Sequence, residues 1–141
     1  MYEMILLPLE NSTADRTILR HVEQLARIHG SRLLLMHVAD GWVARNYDRL
    51  SLRESEEMKS DRAYLEEVCG ELRAKGFEVD YTLGRGEPAE EIIRLVRERH
   101  VDLIAMSTHG HGLAKDLIFG SVARSVRHSV HVPVLLLKAS E

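Results

Sequence analysis

With one cysteine, Cys69, among 141 residues, the chain has no means of forming an internal disulfide. Charge of one sign is not in excess either. Lys and Arg total 19 against 22 Asp and Glu, a formal net charge of -3, so neither a strongly basic surface for nucleic acid nor a disordered, self-repelling chain is expected. No apolar run approaches the ~20 residues needed to cross a bilayer, and no membrane partner is expected. The opening MYEMILLPLENS lacks a basic stretch and turns polar quickly, unlike a secretory signal, so a cytoplasmic location is expected. There is no internal repeat and no low-complexity tract. The length suits a single domain over residues 1–141, because roughly 100–150 residues bury one workable core.

What the chain does have is an alternation of apolar runs and helical patterns from end to end, the signature of an α/β fold with a parallel sheet covered by helices. Five strands are predicted: Tyr2–Leu9, Arg32–Val38, Phe77–Leu83, Asp102–Ser107 and Pro133–Lys138. Four are near-continuously apolar, as strands buried on both faces should be. The third alternates Phe77, Val79, Tyr81 and Leu83 with polar residues and is predicted to lie at a sheet edge. The first helix is predicted over Thr13–His29, with Ser12 as N-cap, Asp15 three residues on, a stripe of Ile18, Val22, Leu25 and Ala26, and Gly30 as its stop. The second, Leu52–Lys75, sets Leu65, Val68 and Leu72 on one face. The third starts at Pro88, carries Glu90 and Glu91 in its first turn, and turns Ala89, Ile92, Ile93 and Val96 inward. The fourth is predicted to start near Gly120–Ser121 and to carry Val122, Val126 and Val130. One long connection, Ala39–Ser51, contains Trp42 and has the length of a lid or flexible excursion.

In an open parallel sheet, ligands bind outside the carboxyl ends of the strands, where the strand order reverses. With the first strand central and the fourth beside it, the crevice is bounded by Pro8–Ser12 and Met106–Gly112. The glycine-rich stretch MSTHGHGLAKDLIFGSV, Met106–Val122, falls there. Gly110 and Gly112 let the backbone approach a ligand without a Cβ in the way, and a helix opening at Gly120 and Ser121 would offer free N–H groups to an anion. Two readings stay open on spacing alone: a phosphate cradle, or a tight loop followed by a helix cap.

Rival motifs are absent. There is no Gly-x4-Gly-Lys-Ser/Thr, and PLENST follows the first strand where a dinucleotide fold would carry Gly-x-Gly-x-x-Gly. The aspartate cluster of a phospho-acceptor domain is missing from the end of the third strand, TLGRGEP. No nucleophile and base stand in a triad-like order. His109 and His111 flank Gly110 but fall short of the three or four ligands a metal needs; hydrogen bonds to phosphate or to the loop suit them better, and no metal site is expected. His37, within an apolar strand, reads as a satisfied core histidine.

The segments MILLPLENSTADRTILRHVEQLARIHGSRLLLMHV and DLIAMSTHGHGLAKDLIFGSVARSVRHSVHVPVLLL resemble the two ends of the universal stress protein family, so the likeness spans nearly the whole chain. The family's nucleotide signature is Gly-x2-Gly-x9-Gly-Ser/Thr. Gly110, Gly120 and Ser121 fit it, with Ser107 in place of the first glycine. The resemblance implies an open five-stranded parallel sheet of order 3-2-1-4-5 with helices on both faces, Rossmann-like and of the adenine nucleotide alpha hydrolase type. It also implies ATP, or ADP or AMP, with Mg2+ as ligand. Pro8, Leu9, Glu10, Val38 and Met106 would meet the adenosine. The backbone amides of Gly110, His111, Gly120, Ser121 and Val122, with the Ser121 hydroxyl, would take the phosphates, and Ser107, His109 and Gly112 complete the cradle.

Two residues depart from the family pattern: Glu10 stands where Asp is frequent, and Ser107 where the first glycine belongs. The resemblance further implies a homodimer through Pro133–Lys138, whose open apolar edge would otherwise invite aggregation. The function it implies is a regulatory module in which ATP biases the Ala39–Ser51 loop or the dimer surface toward a protein client that the sequence does not name. The alternatives are a nucleotide-independent dimer acting through protein contacts, or a slow ATPase for which Glu10 and His109 are the nearest candidate bases.

Overall fold

The computed structural model describes residues 1–38, 51–84, 86–108 and 114–139, and of residues 38, 51–57 and 114–121 the backbone alone. The elements run β1 (Met4–Pro8), α1 (Asp15–His29), β2 (Arg32–Val38), α2 (Ser51–Ala74), β3 (Val79–Gly84), α3 (Pro88–Glu98), β4 (Leu103–Thr108), α4 (Ala114–Ser129) and β5 (Val134–Lys138). The five strands form one sheet of order β3-β2-β1-β4-β5, and every neighbouring pair is parallel. Parallel neighbours demand crossovers, and the helices supply them.

Strand alternation divides the core into two layers. Ile5, Leu7 and Leu9 of the first strand and its exit share one face with Leu33, Leu35, Leu103 and Ala105, and pack on Ile18 and Val22 of α1 and on Leu65, Val68 and Leu72 of α2. Met4, Leu6, Leu34, Met36, Ile104 and Met106 face the other way, onto Ile92 and Leu95 of α3 and Val122 and Val126 of α4. A period of two in strands covered on both faces explains why the sequence there shows no polar alternation. The third strand does lie at an edge. So does β5, whose residues are half-buried or exposed despite their apolar character, with Leu136 38% exposed.

Three expectations need correction. Regular helix in α1 begins at Asp15, with Ala14 as N-cap; the Ser12 hydroxyl still accepts the Ala14 N–H at 3.2 Å, and Ser12 N–H reaches Asp15 at 3.3 Å, a capping arrangement set one turn outside the helix proper. In α3 the buried residues are Ile92 and Leu95, while Ile93 lies outside the core clusters. The largest difference is in α4, which begins at Ala114 instead of Gly120. Ala114–Phe119 holds no proline or glycine and includes good helix formers, so the helix starts there and carries Gly120 in its interior at a cost of about 1 kcal/mol relative to Ala. Trp42 and the rest of the Ala39–Ser51 connection up to residue 50 lie outside the described residues.

Candidate functional site

The sheet order puts the topological switch between β1 and β4: from β1 the chain moves to β2 on one side, and from β4 to β5 on the other. The two strands also part there. Their registered pairs are Ile5↔Leu103 and Leu6↔Ile104, whereas β1 stays paired with β2 through Pro8↔Met36, and Leu9 N–H continues to the Met36 carbonyl at 2.7 Å. The last residues of β1 thus follow β2 and those of β4 follow β5, with Thr108 opposite Lys138. A crevice opens between the carboxyl ends, with α1 leaving toward one face and α4 toward the other.

Pro8, Leu9, Glu10, Met106 and Ser107 all stand at this end of β1 and β4. Leu9 and Met106 are 1% and 0% exposed, packed in the two opposite core layers. Glu10 is half-buried, and its carboxylate accepts the Ser12 hydroxyl at 2.5 Å. Ser107 is buried, and its hydroxyl donates to the Ala14 carbonyl at 2.8 Å, tying β4 to the start of α1. Val38 closes β2 opposite Gly84. Val122 is buried in the layer under α4. His109, Gly110, His111 and Gly112 lie outside the described residues, and Gly120 and Ser121 are the seventh and eighth residues of α4.

Beneath the β1–α1 loop runs a polar network that the sequence did not disclose. Asp15, 2% exposed, accepts the N–H groups of Glu10 and Asn11 at 3.0 Å each and the Tyr64 hydroxyl at 2.6 Å. Burial pushes the Asp15 carboxyl above the usual carboxylate range, against the lowering pull of Tyr64 and the backbone donors; the same burial and the adjoining Asp15 raise the Tyr64 hydroxyl. Asn11 holds a positive φ of 63°, which Asn tolerates better than most residues, and its side-chain amide donates to Asp61 at 3.1 Å. His37 lies between Asp61 and the Leu9 carbonyl. One signal for this was available: Asp61 stands four residues before Leu65, on the apolar stripe of α2.

A cavity of about 520 Å³ lies at the opposite end of the sheet beside Met4, Arg32 and Val79. Two of the arginines beside it are engaged: Arg73 with the Val79 carbonyl and Asp80, Arg99 with Asp80. Among the described residues no group of three or more His, Cys, Asp or Glu is placed to hold a metal ion, and no described helix is long and apolar enough to cross a membrane.

Comparison with known proteins matches this architecture. Universal stress protein MJ0577 of Methanocaldococcus jannaschii is 28% identical over 155 residues, covering 98% of this chain and 96% of its own; its solved structure superposes with a TM-score of 0.82 at 27% identity, covering 100% and 99% of the two chains. A universal stress protein from Archaeoglobus fulgidus in complex with dAMP shares the fold at a TM-score of 0.70 and 23% identity, covering 98% of each chain. A universal stress protein in complex with cAMP does so at a TM-score of 0.69 and 18% identity, covering 99% and 98%. The universal stress protein family model matches residues 1–138. With that match spanning nearly the whole length, the chain belongs to the universal stress protein family.

Proposed function

We propose that the crevice between β1 and β4 binds an adenine nucleotide, ATP in the first instance, and that the loaded protein acts as a regulatory module. The observation that carries this reading is the parting of β1 from β4 after Leu6↔Ile104 at the switch point. The signature glycines lie on the chain that leaves β4, and two fold neighbours are complexes with dAMP and cAMP. The adenosine is assigned to the Pro8–Glu10 side, the end of β2 at Val38 and the end of β4 at Met106. The phosphates are assigned to the stretch from Ser107 through His109, Gly110, His111 and Gly112 to Gly120, Ser121 and Val122. Mg2+ in this reading arrives with the phosphates, as is usual for this hard, strongly hydrated ion.

The position of α4 gives the proposal a specific consequence. Residues Gly120, Ser121 and Val122 are the seventh to ninth of the helix, where N–H groups are committed to carbonyls four residues back. For those amides to meet phosphate, the turns from Ala114 to Phe119 must rearrange. Hydrogen exchange is therefore expected to change on adding ATP at Glu10–Ser12 and across residues 106–122, with the β3 edge unaffected. Unchanged exchange throughout at saturating ATP would count against the proposal.

The half-exposed β5 edge supports a second element, a homodimer through Pro133–Lys138. Leu136, 38% exposed on an open strand, gains cover and the unpaired backbone groups gain partners when the strand meets its copy. Leu136→Lys is expected to shift the sedimenting species to monomer while the wild type runs as a dimer. A monomeric wild type at micromolar concentration would remove this element without touching the nucleotide site.

A further inference from the structure

We propose that His37, held against Asp61, is a positioning residue that fixes the Leu9–Asn11 segment at the mouth of the crevice, and that this placement depends on pH. The claim about the segment stands on the structure alone; its effect on a ligand rests on the nucleotide reading above. His37 sits near the end of β2 on the face covered by α1 and α2, its side chain 12% exposed and that of Asp61 9%. Nδ1 is 2.9 Å from the Leu9 carbonyl oxygen, and Nε2 is 3.1 Å from Oδ2 of Asp61. Both partners are acceptors. A neutral imidazole has one N–H and satisfies only one of them, whereas the doubly protonated ring satisfies both.

The other Asp61 oxygen, Oδ1, takes the Asn11 side-chain amide at 3.1 Å. One carboxylate on α2 therefore grips the loop twice, through the ring to Leu9 and directly at Asn11. Tyr64, one turn further along α2, adds a third hold through Asp15 and its loop amides. Loss of the ring proton sets a bare nitrogen against an acceptor at about hydrogen-bond distance, and one of these links must lengthen.

The charged groups acting on the ring among the described residues are Asp61 from α2 and, less strongly, Asp15 from α1. From β3 its register neighbour is Leu83, which carries no charge. Burial works to lower the imidazole, but the Asp61 bond and charge, with the Leu9 carbonyl, outweigh it and raise the ring above the ordinary 6.5. Burial works to raise Asp61, and the His37 and Asn11 bonds outweigh it, so its carboxyl is held below the ordinary 3.8.

The test is an NMR titration of the ligand-free, full-length chain from about pH 5.5 to 9, following the His37 ring and the amides of Glu10, Asn11 and Ser12. The ring is expected to titrate above its ordinary value, and the three amides to shift with the same midpoint. In His37→Gln the amide shifts at that midpoint should vanish. A ring titrating at or below its ordinary value, or loop amides that stay flat through the ring's midpoint, would overturn the proposal, and the wild-type titration needs no variant to decide this. Affinity for ATP, read in parallel, is expected to fall at least ~3-fold above the midpoint in wild type and to lose that dependence in His37→Gln. Equal pH dependence in the two proteins would overturn the link to the ligand. Titrating amides in a chain that binds no ATP would refute the nucleotide reading and leave the positioning of the loop intact.

Discussion

Asp15→Ala is expected to lower the stability of the fold by about 3 kcal/mol, one of the largest losses available from a single polar side chain. The carboxylate accepts two loop amides at 3.0 Å, a third at 3.3 Å and the Tyr64 hydroxyl at 2.6 Å. Alanine leaves those donors beside a cavity in a part-buried site, where each unsatisfied group costs on the order of 1–3 kcal/mol. The sum is held down because the ionised carboxylate itself costs desolvation, the reason its pKa is raised. For a chain of this length the melting temperature should drop roughly 10 °C. Asp15→Asn should do little better, since its NH2 group would face N–H and O–H donors. Tyr64→Phe, which removes one hydrogen bond, should cost about 1 kcal/mol. A melting curve for Asp15→Ala within about 2 °C of wild type would show that the loop is held by something else.

The second large effect concerns the proposed ligand. Gly120→Val should weaken ATP binding at least ~100-fold, equivalent to about 2.7 kcal/mol, while leaving the fold in place. In the helix of the ligand-free chain, valine is no worse than glycine in intrinsic propensity, so the change does not disfavour α4. In the loaded form the backbone at this position is assigned to a phosphate, where a β-branched side chain stands in the way of close approach. Melting temperature and binding therefore separate the two roles. Wild-type affinity in the variant would take Gly120 out of the site.

Acid and alkaline limbs of stability follow from different groups. Because Asp61 is held below its ordinary 3.8, its contribution is present above that value and is lost as pH falls through the lower folded value. The raised His37 contributes fully below 6.5 and loses that contribution as pH rises through its higher folded value. Asp15, raised, takes up its proton in the folded chain before the unfolded chain does, so it does not drive acid unfolding. The pair is at its best between the ordinary values of the two groups, on the acid side of neutrality.

How much of this can be read from the amino acids varies by element. Strands such as MILLP and LIAMST are apolar on both faces because helices cover both, and their order of residues announces a parallel sheet. The strand order comes only with the family likeness, because register and neighbours are long-range properties that no local pattern carries. The start of α4 escapes a local reading because Gly120 looks like a boundary, yet one glycine's local cost is smaller than the combined preference of the residues before it. His37 is legible as a satisfied histidine. Its partners are not, since Leu9 and Asp61 are 28 and 24 positions away and meet it only after α2 packs on the sheet. Ser107 reads as a small stand-in for glycine, whereas its hydroxyl bonds Ala14 across 93 positions of sequence. The glycine loop itself, His109–Gly112, is the most conspicuous feature of the sequence and lies outside the described residues.

The central claim is that the parted ends of β1 and β4 hold an adenine nucleotide, and calorimetric titration of the purified protein with ATP, with and without Mg2+, tests it most directly. The account predicts saturable binding of one nucleotide per chain with a dissociation constant on the order of micromolar, about −8 kcal/mol. Absence of saturable binding up to millimolar ATP, in a chain whose circular dichroism and melting show it folded, would contradict it.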